Sequence, residues 1–219
     1  MDRLRPRIVS QFGHPRGLPG SLAGWEMALR PSNRKRNVWA VKLLNVQPTD
    51  RVLEIGFGPG LAVREIARRA TRGQVIGIDR SEVMLTQAAR HNASAMSSGR
   101  VSLIVASVED LPGFDQTFDK ILAVNNFGFW SDPILRLEEL ARLLDSGGLL
   151  AIVSQPRSPG ATAETTSLSA NHIVAALEEA GFESIRIETL DLKPPVACVI
   201  GIPGLTTPDS KAESQPSSG

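Results

Sequence analysis

From Asp50 to Ile202 the chain switches back and forth between two hydrophobic periods, and this alternation restricts its fold more than any other feature. Short aliphatic runs recur at Arg51–Ile55, Gln74–Ile78, Val101–Val105, Lys120–Val124 and Leu149–Val153. They are almost wholly apolar, as strands covered on both faces must be. Helical stretches separate them at Leu61–Ala70, Ser81–Ala95 and Asp132–Leu144. In the last of these, Asp132 is a natural cap and Pro133 suits the first helical position; Ile134, Leu137, Leu140, Ala141 and Leu144 form one apolar stripe ahead of Gly147 and Gly148. Strand, helix, strand in repetition gives a parallel sheet, and right-handed crossovers place helices on both of its faces, a doubly wound arrangement.

The two ends read differently. Residues 1–46 combine a Gly-, Pro- and Arg-rich arm with a helix from Ser32 or Asn33 to Asn45, whose Val38, Val41 and Leu44 share one side. Gln47-Pro48-Thr49-Asp50 then breaks the helix, and the core domain spans 47–204. After the fifth strand come a polar insert, Ser154–Ser167, a helix from Leu168 to Ala180 closed by Gly181, and two strands at Ser184–Leu190 and Val196–Ile202. Only Asp191–Pro195 joins these two strands, too little for a parallel crossover, so they are antiparallel. The polar tail, 205–219, has the composition of a disordered segment.

The sharpest chemical signal lies in Val52–Leu61. A buried strand containing Glu54 runs into a turn with glycines at 56, 58 and 60, and a helix opens directly after it. Alternate glycines permit positive φ and let a ligand close on the backbone. Asp79 ends the second strand, about 20 residues beyond the turn, where an acid accepts hydrogen bonds from both hydroxyls of a ribose. Ser81 is placed to cap the next helix, which leaves Asp79 for that task.

The set Glu54-x-Gly56-x-Gly58-x-Gly60, then Gly77-Ile78-Asp79, resembles the class I methyltransferases that use S-adenosylmethionine, most closely their small-molecule, ubiquinone-biosynthesis-like (type 11) branch. The resemblance implies an α/β, Rossmann-like, seven-stranded sheet, mostly parallel with one antiparallel strand inserted near the end. It implies S-adenosylmethionine as cofactor, with Glu54 and Gly56 beside its methionine portion and Gly58 and Gly60 letting the backbone close on it. Asp79 would hold the ribose hydroxyls, and Arg80 with Val83 or Met84 would flank the adenine. Relatives carry Gly-Asp-Ala where this chain has Ala106-Ser107-Val108, so adenine contacts fall to Ser107 and Val108 without the usual carboxylate. Asn125, at the end of the fourth strand, would stand beside the methionine end. Of the aromatics that follow, Phe127 and Phe129 read as pocket wall or core and Trp130 as a packing anchor. The Asn/Asp-Pro-Pro-aromatic signature of DNA adenine methyltransferases is missing, which argues against base methylation.

Methyl transfer is an in-line displacement that demands alignment and no nucleophile from the protein. His14, in the arm, is the candidate acceptor-side polar group in a catalytic role, while His91 and His172 read as surface residues. The arm (11–27) and the insert (154–167) are the segments expected to cover the acceptor. Phe12, Leu18, Leu22, Trp25, Met27 and Leu29 suggest a partly apolar small molecule, while Leu22, Trp25 and Leu29 would equally pack a short helix on the core. With 24 basic and 23 acidic residues the formal net charge is +1, which gives no reason to expect nucleic acid as a partner. The single cysteine, Cys198, excludes an internal disulfide and a cysteine zinc site, and sits in an apolar run that reads as buried. No stretch is long enough to span a bilayer. The expectation is a metal-free cytoplasmic enzyme, monomer or homodimer, without stable membrane insertion. Two rivals remain. An NAD(P)-dependent oxidoreductase needs a glycine where Leu61 stands, and a non-catalytic cofactor-binding module would keep the fold without the chemistry.

Overall fold

A computed structural model describes residues 31–204; the arm with His14, and the tail 205–219, lie outside the described residues. The elements, in chain order, are α1 (Pro31–Leu43), β1 (Arg51–Ile55), α2 (Leu61–Arg69), β2 (Gln74–Asp79), α3 (Glu82–Ser97), β3 (Val101–Val105), β4 (Phe118–Val124), α4 (Pro133–Leu143), β5 (Leu144–Ser154), α5 (Ala163–Glu179), β6 (Phe182–Leu190) and β7 (Val196–Pro203). A single 3-10 turn, Phe127–Phe129, follows β4.

The strands form one seven-stranded sheet in the order β3-β2-β1-β4-β5-β7-β6. The pairs from β3 through β5 are parallel, and β7 runs antiparallel to both of its neighbours, β5 and β6. This is the expected doubly wound sheet with one antiparallel strand, inserted between β5 and β6. The chain winds outward from β1 to β3, then returns to place β4 on the other side of β1. Such a reversal leaves a crevice at the carboxyl ends of β1 and β4, the switch point at which doubly wound sheets bind ligands.

Side chains alternate across the sheet, and consecutive strand residues feed two separate cores. Leu53, Ile121 and Ile152 pack with Leu137 and Leu140 of α4 and with Ile173 and Leu177 of α5. Val52, Leu122 and Ala151 pack on the opposite face with Ile66 of α2, Met84 of α3, Val41 of α1 and Leu44 just beyond that helix. Cys198 lies in this second core, fully buried, and burial pushes its thiol up to about 12.

Three elements differ from the sequence expectation, the first being β5, which begins at Leu144, so that Leu144, Gly147 and Gly148 lie in the strand and not at the end of the helix. In α1 the inward face is Asn33, Arg36, Asn37, Ala40 and Val41, while Val38 is exposed. The apolar triplet chosen from the sequence mixed two faces, because the first half of the helix turns polar side chains inward to meet a polar cluster described below. Helix α5 begins at Ala163, five residues earlier than the apolar stripe suggests. Thr162 caps it by accepting from the Thr165 N–H while Thr165 Oγ1 accepts from the Thr162 N–H, a reciprocal box built with threonine in place of the usual Glu or Gln. The polar insert is correspondingly short. Elsewhere the caps are as read: Ser81 accepts from Met84 N–H and Asp132 from Leu135 N–H.

Candidate active site

The glycine turn is held at both of its flanks. Gly56 and Phe57 N–H groups both donate to Ile78 O, at 2.8 and 3.2 Å, tying the exit of β1 to β2. All three glycines have positive φ: Gly56 at 67°, Gly58 at 51° and Gly60 at 77°. From α3, His91 Nδ1 lies 2.6 Å from Pro59 O, and Asn92 Nδ2 donates to Gly60 O at 3.1 Å. His91 is thus a half-buried clamp on the turn and not the surface residue its position suggested.

Asp79 emerges from β2 into this turn. Its Oδ2 accepts from Gly58 N–H at 2.8 Å and its Oδ1 from Ser81 N–H at 2.9 Å. A carboxylate offers about four lone-pair sites, and these two backbone donors fix its orientation toward the turn. Glu54, at 2% exposure, is buried at the end of β1. Burial first, and the neighbouring Asp79 charge second, push its carboxyl well above the usual range, partly countered by a hydrogen bond from Val63 N–H in the first turn of α2. Glu54 Oε2 has no hydrogen-bond partner among the described residues.

Asn126 is the residue that the sequence reading missed. Its amide occupies the space a Cβ at Gly56 would fill, at 2.2 Å from the ideal Cβ position to Nδ2. Nδ2 donates to Ile55 O, and Oδ1 is buried without a partner among the described residues. Asn125, favoured from the sequence, has φ 56° and turns the chain so that its Oδ1 accepts from Gln155 N–H at 2.7 Å, bridging the ends of β4 and β5. Two adjacent asparagines were legible; which of them meets Gly56 depends on that bend.

On the other flank, Arg80 lies over the Phe129 ring at 5.9 Å, and its charge helps to hold Glu109 ionised. Burial raises the Glu109 carboxyl, but the Ser107 hydroxyl, the Ser131 N–H and its own N–H outweigh this and hold it below the usual range. The Ser107 hydroxyl therefore donates to Glu109 and accepts from Glu109 N–H, so at most one acceptor site remains for an adenine. Met84 is 2% exposed and Val108 5% exposed, and both side chains lie in the cores, whereas Val83 is half-buried. Phe127 and Trp130 are buried against each other at 5.1 Å, whereas Phe129 is exposed. Exposed His172 meets the Phe127 ring edge at 5.9 Å.

At the C-terminal edge of β5 a cavity of about 650 Å³ opens between the insert and the β6–β7 link, lined by Arg157, Ala161, Leu192, Lys193 and Pro195 among others. Because β7 is antiparallel to β5, this link returns to the same sheet edge as the crevice.

Comparison with known proteins agrees with this geometry. Residues 52–148 match the family described as "Methyltransferase domain". The chain is 35% identical over 173 residues to the uncharacterized methyltransferase YdaC of Bacillus subtilis, covering 79% of this chain and 92% of that one. It is 33% identical over 122 residues to the ubiquinone/menaquinone biosynthesis C-methyltransferase UbiE of Geotalea daltonii, a match spanning 54% of this chain and about half, 52%, of the relative. Its fold is shared with a SAM-dependent methyltransferase from Aquifex aeolicus, at a TM-score of 0.65 and 23% identity over 80% of this chain and 95% of that one.

Proposed function

From a chain that belongs to the class I S-adenosylmethionine-dependent methyltransferase family, we propose how the crevice serves the transfer and what it methylates. The enzyme uses S-adenosylmethionine, and the oxidoreductase alternative has no support among its relatives.

The observation that carries the site assignment is a pair of buried, unsatisfied oxygens, Glu54 Oε2 and Asn126 Oδ1, beside a glycine turn. Uncompensated buried acceptors cost stability unless a ligand's donors complete them. An ammonium group is such a donor. Glu54 and Asn126 would hold the amino-acid end of the cofactor, Gly58 would admit it to the backbone, and Asp79 would take the ribose hydroxyls. When bound, the cofactor supplies a methyl group already activated by its sulfonium. The residues of the crevice bind, orient and exclude water, and the gain is one of alignment. No nucleophile of the protein is required.

The acceptor is a small molecule with an apolar body, not a nucleic acid. Its place is the cavity at the end of β5, where Leu192, Ala161 and Pro195 alternate with charged side chains. The assignment is tested by calorimetric titration with S-adenosylhomocysteine. One site per chain is expected, with Asn126→Ala and Glu54→Gln each weakening binding by about tenfold and NADH giving no heat. Affinity unchanged in both variants would remove the assignment.

A further inference from the structure

Arg36 lies on the inward face of α1, only 7% exposed, and the cofactor crevice makes no use of it. Its Nη1 donates to Gln155 Oε1 at 2.9 Å, and Arg157 Nη2 donates to the same oxygen at 2.8 Å. Arg157 also donates to Asn33 Oδ1 at 2.6 Å. One neutral amide oxygen thus stands between two guanidinium groups. Arg36 Nε is out of water and has no hydrogen-bond partner, and Arg36 makes no ion pair among the described residues.

A guanidinium remains charged at neutral pH. Burial, and then the Arg157 charge, push Arg36 down to about 9. Buried charges are ordinarily paired, because an unpaired one is strongly destabilising. Two converging guanidinium groups on one neutral amide oxygen match the planar, bidentate recognition of an oxyanion.

Position says which anion. Gln155 is the first residue beyond β5; its N–H donates to Asn125 Oδ1 at the end of β4, and its Nε2 donates to Pro194 O in the β6–β7 link at 2.8 Å. Arg157 is exposed and lines the cavity together with Lys193. The cluster therefore flanks the β5–β7 side of the crevice, away from Asp79 and Arg80 at the end of β2.

We propose that Arg36 and Arg157 form an anion subsite for the acceptor, so that the molecule methylated carries a carboxylate, phosphate or sulfonate group beside its apolar body. This rests on the crevice being the cofactor site and deepens that reading by naming the acceptor class.

The test is calorimetric titration of inorganic phosphate into the full chain saturated with S-adenosylhomocysteine. Saturable phosphate binding is expected, weakened at least about tenfold in Arg36→Met and in Arg157→Gln, with S-adenosylhomocysteine affinity changed less than about twofold. Arg36→Met should keep or raise the melting temperature, because it removes an uncompensated buried charge; a purely structural arginine would lower it. Should Arg36→Met not fold, Arg157→Gln, at an exposed position, carries the test. No phosphate binding, or equal binding in both variants, overturns the proposal. If Arg36→Met loses S-adenosylhomocysteine affinity about tenfold or more while 5′-methylthioadenosine, which lacks the carboxylate, binds as before, the anion is the cofactor's own and the acceptor assignment is overturned. If the unaltered protein fails to bind S-adenosylhomocysteine, the cofactor reading fails, and phosphate titration of the ligand-free protein still judges the arginine pair.

Discussion

Alanine at Gly56 and alanine at Gly58 should damage the protein in different ways, although the two residues stand two apart in one turn. At Gly56 a Cβ would lie 2.2 Å from Asn126 Nδ2, so the asparagine must swing away and release Ile55 O. That lost bond is worth about 1 kcal/mol. Holding alanine at the φ of 67° found there costs about 1–2 kcal/mol more. Gly56→Ala should therefore lose about 2–3 kcal/mol of stability, a fall of about 4–12 °C in Tm for a chain of this size. At Gly58 a Cβ meets nothing within 4 Å among the described residues, so only the backbone term applies, about 1 kcal/mol or a little more. The open space at Gly58 is where the cofactor should approach. Gly58→Ala should accordingly keep most of its stability yet weaken S-adenosylhomocysteine binding by about tenfold or more, the scale of losing roughly one good contact. Scanning calorimetry and isothermal titration on the two variants check this. Gly58→Ala binding S-adenosylhomocysteine within about twofold of the unaltered protein would refute the placement of the ligand against this turn.

Other outcomes follow from the same geometry. Asp79→Ala removes the acceptor for Gly58 and Ser81 N–H groups as well as for the ribose; S-adenosylhomocysteine affinity should fall more than about tenfold and stability by about 1–2 kcal/mol, given partial exposure, measured by titration and urea melts. Glu54 has a raised carboxyl in the folded state, so the native protein holds a proton there that the unfolded chain loses at an ordinary value of about 4.3. Stability from this group is full below that value and is lost as pH climbs through the raised one; Tm against pH should show this decline, and Glu54→Gln should flatten it. The ligand's ammonium group against Glu54 favours the carboxylate, so S-adenosylhomocysteine affinity should rise over the same window in the unaltered protein and not in Glu54→Gln. Arg80→Ala should free the Phe129 ring and raise the Glu109 carboxyl, seen as an upward shift of its titration by NMR.

The sheet and the glycine turn were legible because their signals are local and periodic: unbroken apolar runs for two-sided strands, and glycines where φ must be positive. The place of Asp79 beside the turn was legible from its position at the end of the second strand and its offset from the glycines. What escaped were residues whose role depends on contacts made far along the chain. Asn126 meets Gly56 only because Asn125 bends the strand end. Arg36 and Asn33 turn inward because Gln155 and Arg157, more than 100 positions away in the chain, are there to receive them; taken alone, α1 invites an apolar face through Val38. Met84 and Val108 were expected at the adenine because they follow the motif residues, yet strand and helix periodicity sends their side chains into the cores. The start of α5 escaped because a threonine box is a weaker sequence signal than Ser/Thr-x-x-Glu.

The crystal structure of the protein grown with S-adenosylhomocysteine tests the central claim most directly. The account predicts the ribose hydroxyls on the Asp79 carboxylate, and the ammonium group within hydrogen-bond reach of Glu54 Oε2 and Asn126 Oδ1. Density for the ligand at another place, or a ligand in the crevice that leaves both of those oxygens unpartnered, would contradict it.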